Sequence, residues 1–256
     1  MAVLLALLRN LYLVNMPLFT YKRITIFFGD AKSAFVPASF YAYDNKKMLQ
    51  TAPFAGATQT TTITSLLFLY QTHSAHGICI TDKQQAQEMV SFKHEGDFLI
   101  THISQLGLGV ATADCLPIII YDSYNHVVAV VHAGWKGSVN QIAVQALRTM
   151  QQNYASKLAD IQVFFGPSAK ACCYEVTEPF LVQLEEFSFW PQTITRIENF
   201  LFFNNVLFNR LLLQEYGIFS SAIEEQYNTC TICDLSLCSY RRTGLPARQM
   251  TIAFLR

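Results

Sequence analysis

Residues 116–137 read LPIIIYDSYNHVVAVVHAGWKG, and this stretch decides the fold class. Residues 117–121 are a short apolar run, and residues 126–131 are a β-branched strand that gives way at His132, Ala133 and Gly134. A helix is expected from near Ser138, because Val139, Ile142, Ala143, Ala146, Leu147 and Met150 fall on one stripe at helical spacing. Just upstream, residues 109–112 form another apolar run, so that Asp114 and Cys115 lie in a break between two strands. Downstream, residues 161–165 read as a strand stopped by Gly166 and Pro167.

The rest of the chain extends this alternation. Residues 24–28, 64–70, 76–81 and 97–102 read as strands, while residues 31–62 are small, polar and poorly periodic, and read as loop with short elements. Thr177 is placed to cap a helix running through Phe187, with Pro179 tolerated in its first turn. A further helix is expected from about Asn205 to Gly217, a natural left-handed terminator. Irregular alternation of strands and helices predicts an α/β fold bordering on α+β, a single domain with a mixed sheet flanked by helices.

Composition narrows the function classes. The 256 residues are 52% hydrophobic, with 20 Phe to fill a core. Eighteen basic and 18 acidic residues balance, which leaves no whole-chain electrostatic footprint for nucleic acid or an anionic membrane. Seven Cys without a secretory context fit reduced thiols and a cytoplasmic protein. Residues 1–20 read as an N-terminal apolar extension ahead of a domain over 21–256, with Met1 or Met16 as the start. The apolar run is too short to span a bilayer and lacks the flanks of a signal peptide.

Three residues attract attention by position. Cys115 lies between two strands, His132 lies where a strand yields to a turn and helix, and His73 follows the apolar run 66–70. Strand ends of an α/β sheet are well placed to line a crevice. Two imidazoles and a thiolate make a zinc set with an open fourth position, as catalytic zinc requires. Taken singly, each is equally an ordinary buried Cys or hydrogen-bonded His, and their spacing is no local motif.

The surrounding phrases are more specific. Residues 112–117 (TADCLP) and 131–137 (VHAGWKG), followed in order by 166–168 (GPS), 172–176 (CCYEV), Cys230-Thr231 and 239–242 (SYRR), resemble the diagnostic motifs of the YfiH-like family. Gln71-Thr72-His73 is similar to its Gln-Val-His element, and residues 96–101 to its Asp-containing strand. The resemblance covers roughly residues 64–256. It implies a fold related to the bacterial deamidase toxins, with His73, Cys115 and His132 as metal ligands. It also implies zinc-dependent phosphorolysis of adenosine, inosine, guanosine and methylthioadenosine together with deamination of adenosine. Purine nucleosides and inorganic phosphate are then the partners, for a monomer or small homo-oligomer. The chain departs from the pattern at residues 28–34 (FGDAKSA), which lack the family's Arg and Gly pair.

Phosphorolysis needs an anion site, and the motif cations Lys136, Arg241 and Arg242 are its candidates, with Arg248 behind them. Each is otherwise a solvated cation or half of a structural ion pair. Tyr174 is taken as a substrate-binding residue. Glu175 is read as a proton shuttle, as the Glu of nucleobase deaminases is, or as a helix cap. Asp114 is read as a catalytic neighbour of Cys115, or equally as a turn former. Cys230, Cys233 and Cys238 suggest structural zinc on their face, but packed reduced thiols are preferred because Cys172 or Cys173 would have to complete the set. Copper phenol oxidation is disfavoured, since a multicopper centre needs more imidazoles than six His supply. A cysteine hydrolase using Cys115 as nucleophile and His132 as base, or a nucleoside-binding relative without activity, are the other readings.

Overall fold

The strands Leu116–Asp122 and Val127–Ala133 are buried along their whole length. The computed structural model, which describes residues 18–40, 49 and 63–256, shows why. Both strands lie in the middle layer of three. Their odd and even residues therefore face two different cores, and neither face needs polar residues.

In chain order the strands and helices are β1 (Leu18–Tyr21), β2 (Ile24–Phe28), β3 (Ser65–Phe68), β4 (Gly77–Ile80), α1 (Lys83–Glu88), β5 (Phe98–Thr101), β6 (Leu106–Thr112), β7 (Leu116–Asp122) and β8 (Val127–Ala133). Then come α2 (Trp135–Val139), α3 (Ile142–Tyr154), β9 (Ile161–Phe165), β10 (Glu175–Val176), α4 (Glu178–Leu181), β11 (Ile194–Ile197) and β12 (Phe200–Phe203). The chain continues through α5 (Asn205–Glu215), β13 (Ile223–Glu224), α6 (Tyr240–Thr243) and β14 (Gln249–Leu255).

A six-stranded mixed sheet runs β13-β9-β7-β8-β5-β4, and a five-stranded one runs β1-β2-β14-β6-β3. A three-stranded sheet, β10-β12-β11, stands apart from both. Ile118, Ile120, Ala129 and Val131 face a core shared with Ile142, Ala146 and Leu147 of α3. Ile119, Tyr121, Val128 and Val130 face the other way, onto Ile26, Leu108 and Ala253 of the five-stranded sheet. Each fully buried Val or Ile contributes about 1.5–3 kcal/mol relative to exposure, so this doubly covered hairpin anchors the molecule.

The expected strands over 24–28, 64–70, 76–81, 97–102 and 161–165 form, shortened by a residue or so at their ends. The helix from Asn205 also forms, and Gly217 follows it at φ +108. Two helices differ from expectation. The one expected from Ser138 begins earlier, at Trp135, breaks at Gln141 (φ 58), and restarts at Ile142. The one expected from Thr177 to Phe187 lasts only through Leu181 before a 3₁₀ turn, and Thr177 makes no capping bond. Leu181, Leu184 and Phe187 are the buried residues of that segment. Their spacing of three suits the tighter 3₁₀ turn rather than an α-helix.

Strands β1, β10, β11, β12, β13 and β14 are not among those expected from the sequence. Residues 18–20, read as part of the apolar extension, pair with β2. The remainder of that extension, including Met16, and most of the loop expected over 31–62 lie outside the described residues.

Candidate active site

β3 ends just before Gln71, β7 starts just after Cys115, and β8 carries His132. These three strand ends meet at one point. Gln71 fixes the first of them: its side-chain amide donates to the Ala111 carbonyl at 2.9 Å, and its oxygen accepts from the Ala111 amide at 2.7 Å. His73 follows at φ 60, a left-handed conformation that is rare for residues other than Gly and turns the imidazole toward β8. The His73 and His132 rings lie 4.9 Å apart, and Cys115 Sγ lies 3.8 Å from His73 Nε2. One donor atom from each of the three residues falls within 4.8 Å of the others.

Asp97, just before β5, holds this arrangement together. Its buried carboxylate accepts from His132 Nδ1 at 2.8 Å, from the His73 amide at 3.1 Å, and from the amide and hydroxyl of Ser74 at 2.6 and 2.7 Å. One side chain thus orients both imidazoles, and the bond to Nδ1 leaves His132 Nε2 as its free ring atom. Sequence reasoning placed an Asp-containing strand here but did not single out Asp97. Its role arises from contacts across three segments, which no local pattern records.

Gly134 has a steric role at the same point. A Cβ there would stand 2.9 Å from His73 Cδ2 and 3.0 Å from Cys115 Sγ, so only Gly lets the β8–α2 turn pass the cluster. The electrostatics are those of a buried charge chain. Burial raises the Asp97 carboxyl, but the hydrogen bond and charge of His132 and the Ser74 donors outweigh it and hold the group at about 2. Burial also opposes charge on His132 and Cys115. Their mutual attraction and the Asp97 bond reverse this, leaving His132 at about 9 and Cys115 at about 6. Two nitrogens and an acidified sulfur around a pocket cleared by Gly134 suit zinc: three ligands, an open position, and a carboxylate behind one His. The other four His of the chain lie elsewhere, so the two imidazoles here are too few for a multicopper centre.

The cluster forms the floor of a cavity of about 520 Å³. Trp135, Tyr174, Tyr70 and Tyr240 give it aromatic walls, and Arg241 and Arg248 give it positive charge. Arg241 stacks over Tyr174, its Cζ 4.3 Å from the ring centroid, and donates to the Glu175 carbonyl at 2.6 Å. Burial pushes the Tyr174 hydroxyl up, keeping it neutral. Arg248 lies 5.2 Å over Tyr240.

Several candidates are placed differently from expectation. Arg242 does not line the cavity: its guanidinium donates to the carbonyls of Thr231, Ile232, Asp234 and Leu237. Its donors are thus directed to a loop rather than into the cavity. Lys136 is exposed, 5.7 Å over the Trp135 ring, and also outside the cavity. Glu175 is exposed on β10 and lines an adjoining pocket with Trp135, Tyr174 and Arg241 rather than the cavity above the cluster. Asp114 does line the cavity, at φ 90, but its two oxygens accept from Thr231 Oγ1 and the Arg241 amide, both at 2.7 Å. It shapes the wall. The lesson common to these four is that residue type reveals charge but not the direction in which a side chain points.

The chain has recognisable relatives. A family model described as multi-copper polyphenol oxidoreductase laccase matches residues 39–256. The chain is 32% identical, over 185 residues, to a purine nucleoside phosphorylase of Clostridium acetobutylicum, covering 72% of this chain and 73% of that one. It is 38% identical, over 109 residues, to an adenosine deaminase of an unknown prokaryotic organism, 41% of each chain. Among solved structures, the hypothetical protein YfiH of Bacillus licheniformis superposes with a TM-score of 0.76 over 95% of this chain and 98% of that one, at 24% identity.

Proposed function

The chain belongs to the multi-copper polyphenol oxidoreductase laccase family, and from that premise we propose that it is a zinc-dependent purine nucleoside enzyme of the cytoplasm. In this reading it cleaves adenosine, inosine, guanosine and methylthioadenosine with phosphate, and deaminates adenosine. The observation that carries the reading is the His73–Cys115–His132 cluster at the floor of an aromatic cavity that also holds Arg241 and Arg248. The names of the phosphorylase and deaminase relatives point the same way.

His73, Cys115 and His132 would hold the zinc, which when bound supplies Lewis acidity and brings the pKa of water to about 7. Asp97 keeps His132 in the tautomer that presents Nε2. Tyr174 and Trp135 offer faces on which a purine stacks. Arg241 and Arg248 balance the charge of phosphate, aligned with C1′ of the ribose. In phosphorolysis a phosphate oxygen bonds to C1′, the glycosidic bond breaks, and its electron pair leaves with the base, which takes a proton. In deamination the oxygen of water bonds to C6 and ammonia departs.

The test is incubation of zinc-loaded protein with adenosine, with and without phosphate, and separation of products by chromatography. Adenine and ribose 1-phosphate should appear only with phosphate, and inosine should appear without it. A protein inert toward all four nucleosides, with zinc bound, would overturn the reading. Activity that survives zinc removal and is abolished by thiol alkylation would favour the cysteine hydrolase, with Cys115 as nucleophile and His132 as base.

A further inference from the structure

A second cluster lies outside the cavity. Cys172, Cys173, Cys230 and Cys233 bring their four sulfurs within 4.8 Å of one another. Cys173 Sγ is 3.1 Å and Cys172 Sγ 3.6 Å from Cys233 Sγ, and all four are free cysteines. A tetrahedral ion with metal–sulfur bonds of about 2.3 Å requires sulfurs about 3.8 Å apart, inside the span between the 3.1 Å contact and the 4.8 Å bound of the set. The sequence suggested Cys238 as a third member. Instead Cys238 is buried elsewhere, its amide donating to Gln249, and both Cys172 and Cys173 join the set.

The backbone around the sulfurs is also that of a ligand loop. Cys230 and Cys233 stand at C-x-x-C spacing in a tight turn closed by the Asp234 amide onto the Cys230 carbonyl at 3.0 Å. The Arg242 guanidinium, spent on the carbonyls of this loop, adds a fixed positive charge beside it.

We propose that these four cysteines form a closed, structural metal site for one zinc-class divalent ion, separate from the open His73–Cys115–His132 centre. Binding forms four metal–sulfur bonds, releases the remaining S–H protons to water and changes no oxidation state. It leaves a net charge of −2 next to Arg242. The site staples the turn before β10 to the loop before α6. The first carries Tyr174 and the second leads into α6 with Arg241, two walls of the cavity, and Thr231 in the second holds Asp114. The ion thus sets the cavity's shape from outside it. This inference does not depend on which substrate the cavity takes.

The deciding experiment is elemental analysis of protein made with zinc and purified under reducing conditions. The wild type should carry about two zinc per chain and Cys115→Ala about one, because that variant loses only the open centre. Cobalt substituted into Cys115→Ala should give sulfur-to-cobalt charge-transfer absorption and intense tetrahedral bands, which vanish when Cys172→Ser and Cys233→Ser are added. Cys115→Ala keeps all four thiols, so the test does not rely on the folding of any cluster variant. Metal-free Cys115→Ala protein with all four thiols open to alkylation would overturn the proposal. So would an intact mass lower by about 2 Da, the mark of a disulfide in place of a ligand set.

Discussion

Asp97 is where one residue commands the most chemistry. Asp97→Asn keeps the shape of the side chain but removes the charge that balances His132, and an outer partner of this kind commonly controls metal affinity 10–100-fold. The expected result is weaker zinc binding by about that factor, read by competition with a chelator. In chelated protein the same pair sets a pH window. Asp97, held at about 2, contributes stability above its ordinary value of 3.8, lost as the pH falls toward 2. His132, held at about 9, contributes below 6.5 and loses that contribution as the pH rises through 9. The gap in melting temperature between wild type and Asp97→Asn should therefore be widest between about pH 4 and 6.5. A gap independent of pH would mean the carboxylate acts by hydrogen bonding alone. Among the cations, Arg241→Ala and Arg248→Ala should raise the phosphate requirement while sparing deamination. Arg242→Ala should instead cost stability, at least about 3 kcal/mol, since its two short bonds to Thr231 and Leu237 alone contribute about 1.5–3 kcal/mol each. Equal phosphate dependence in all three would move the anion site elsewhere. The three proposed ligands were legible because their motifs are long and ordered. The part Asp97 and Arg242 play in tying segments together is not legible in the sequence, because hydrogen bonds between distant segments leave no local trace.

At the scale of elements, the β8–α2 junction joins fold to site. Gly134 is the point where a strand end and a helix start pass between two proposed ligands, with no room for a methyl group. Gly134→Ala should displace His73 or Cys115, lowering zinc content more than it lowers the melting temperature; a full zinc complement would show that the turn can shift aside. The sequence exposed this junction clearly, since a β-branched strand running into His-Ala-Gly has few other readings. It did not show the helix break at Gln141, which depends on a left-handed residue chosen by tertiary packing. Nor did it show β14, although all seven of its residues are buried. A strand covered on both faces has no alternation to announce it, and the mixture QMTIAFL lacks the aliphatic density that identified β7 and β8.

At the scale of the molecule, the layers explain why the centre is rigid while its walls are loops. The proposed ligands stand at or beside strand ends fixed by two cores, whereas Tyr174 stands on a connection and Arg241 on the single-turn helix α6. Phenol oxidation should accordingly be absent with or without added copper, because these layers scatter the other imidazoles across the surface; robust copper-dependent turnover, followed by absorbance of the oxidised phenol, would reverse that conclusion. The order of strands also bears on time. β14 pairs with β2 on one side and β6 on the other, so it joins the two halves of the five-stranded sheet. Residues 29–248 are synthesised between β2 and β14, which at roughly 5–20 residues per second occupies roughly 10–40 s. Throughout that interval β2, and from its own synthesis onward β6, presents an unpaired apolar edge, a template for association with other chains. The nascent protein, rather than the finished one, is therefore the form most in need of a chaperone.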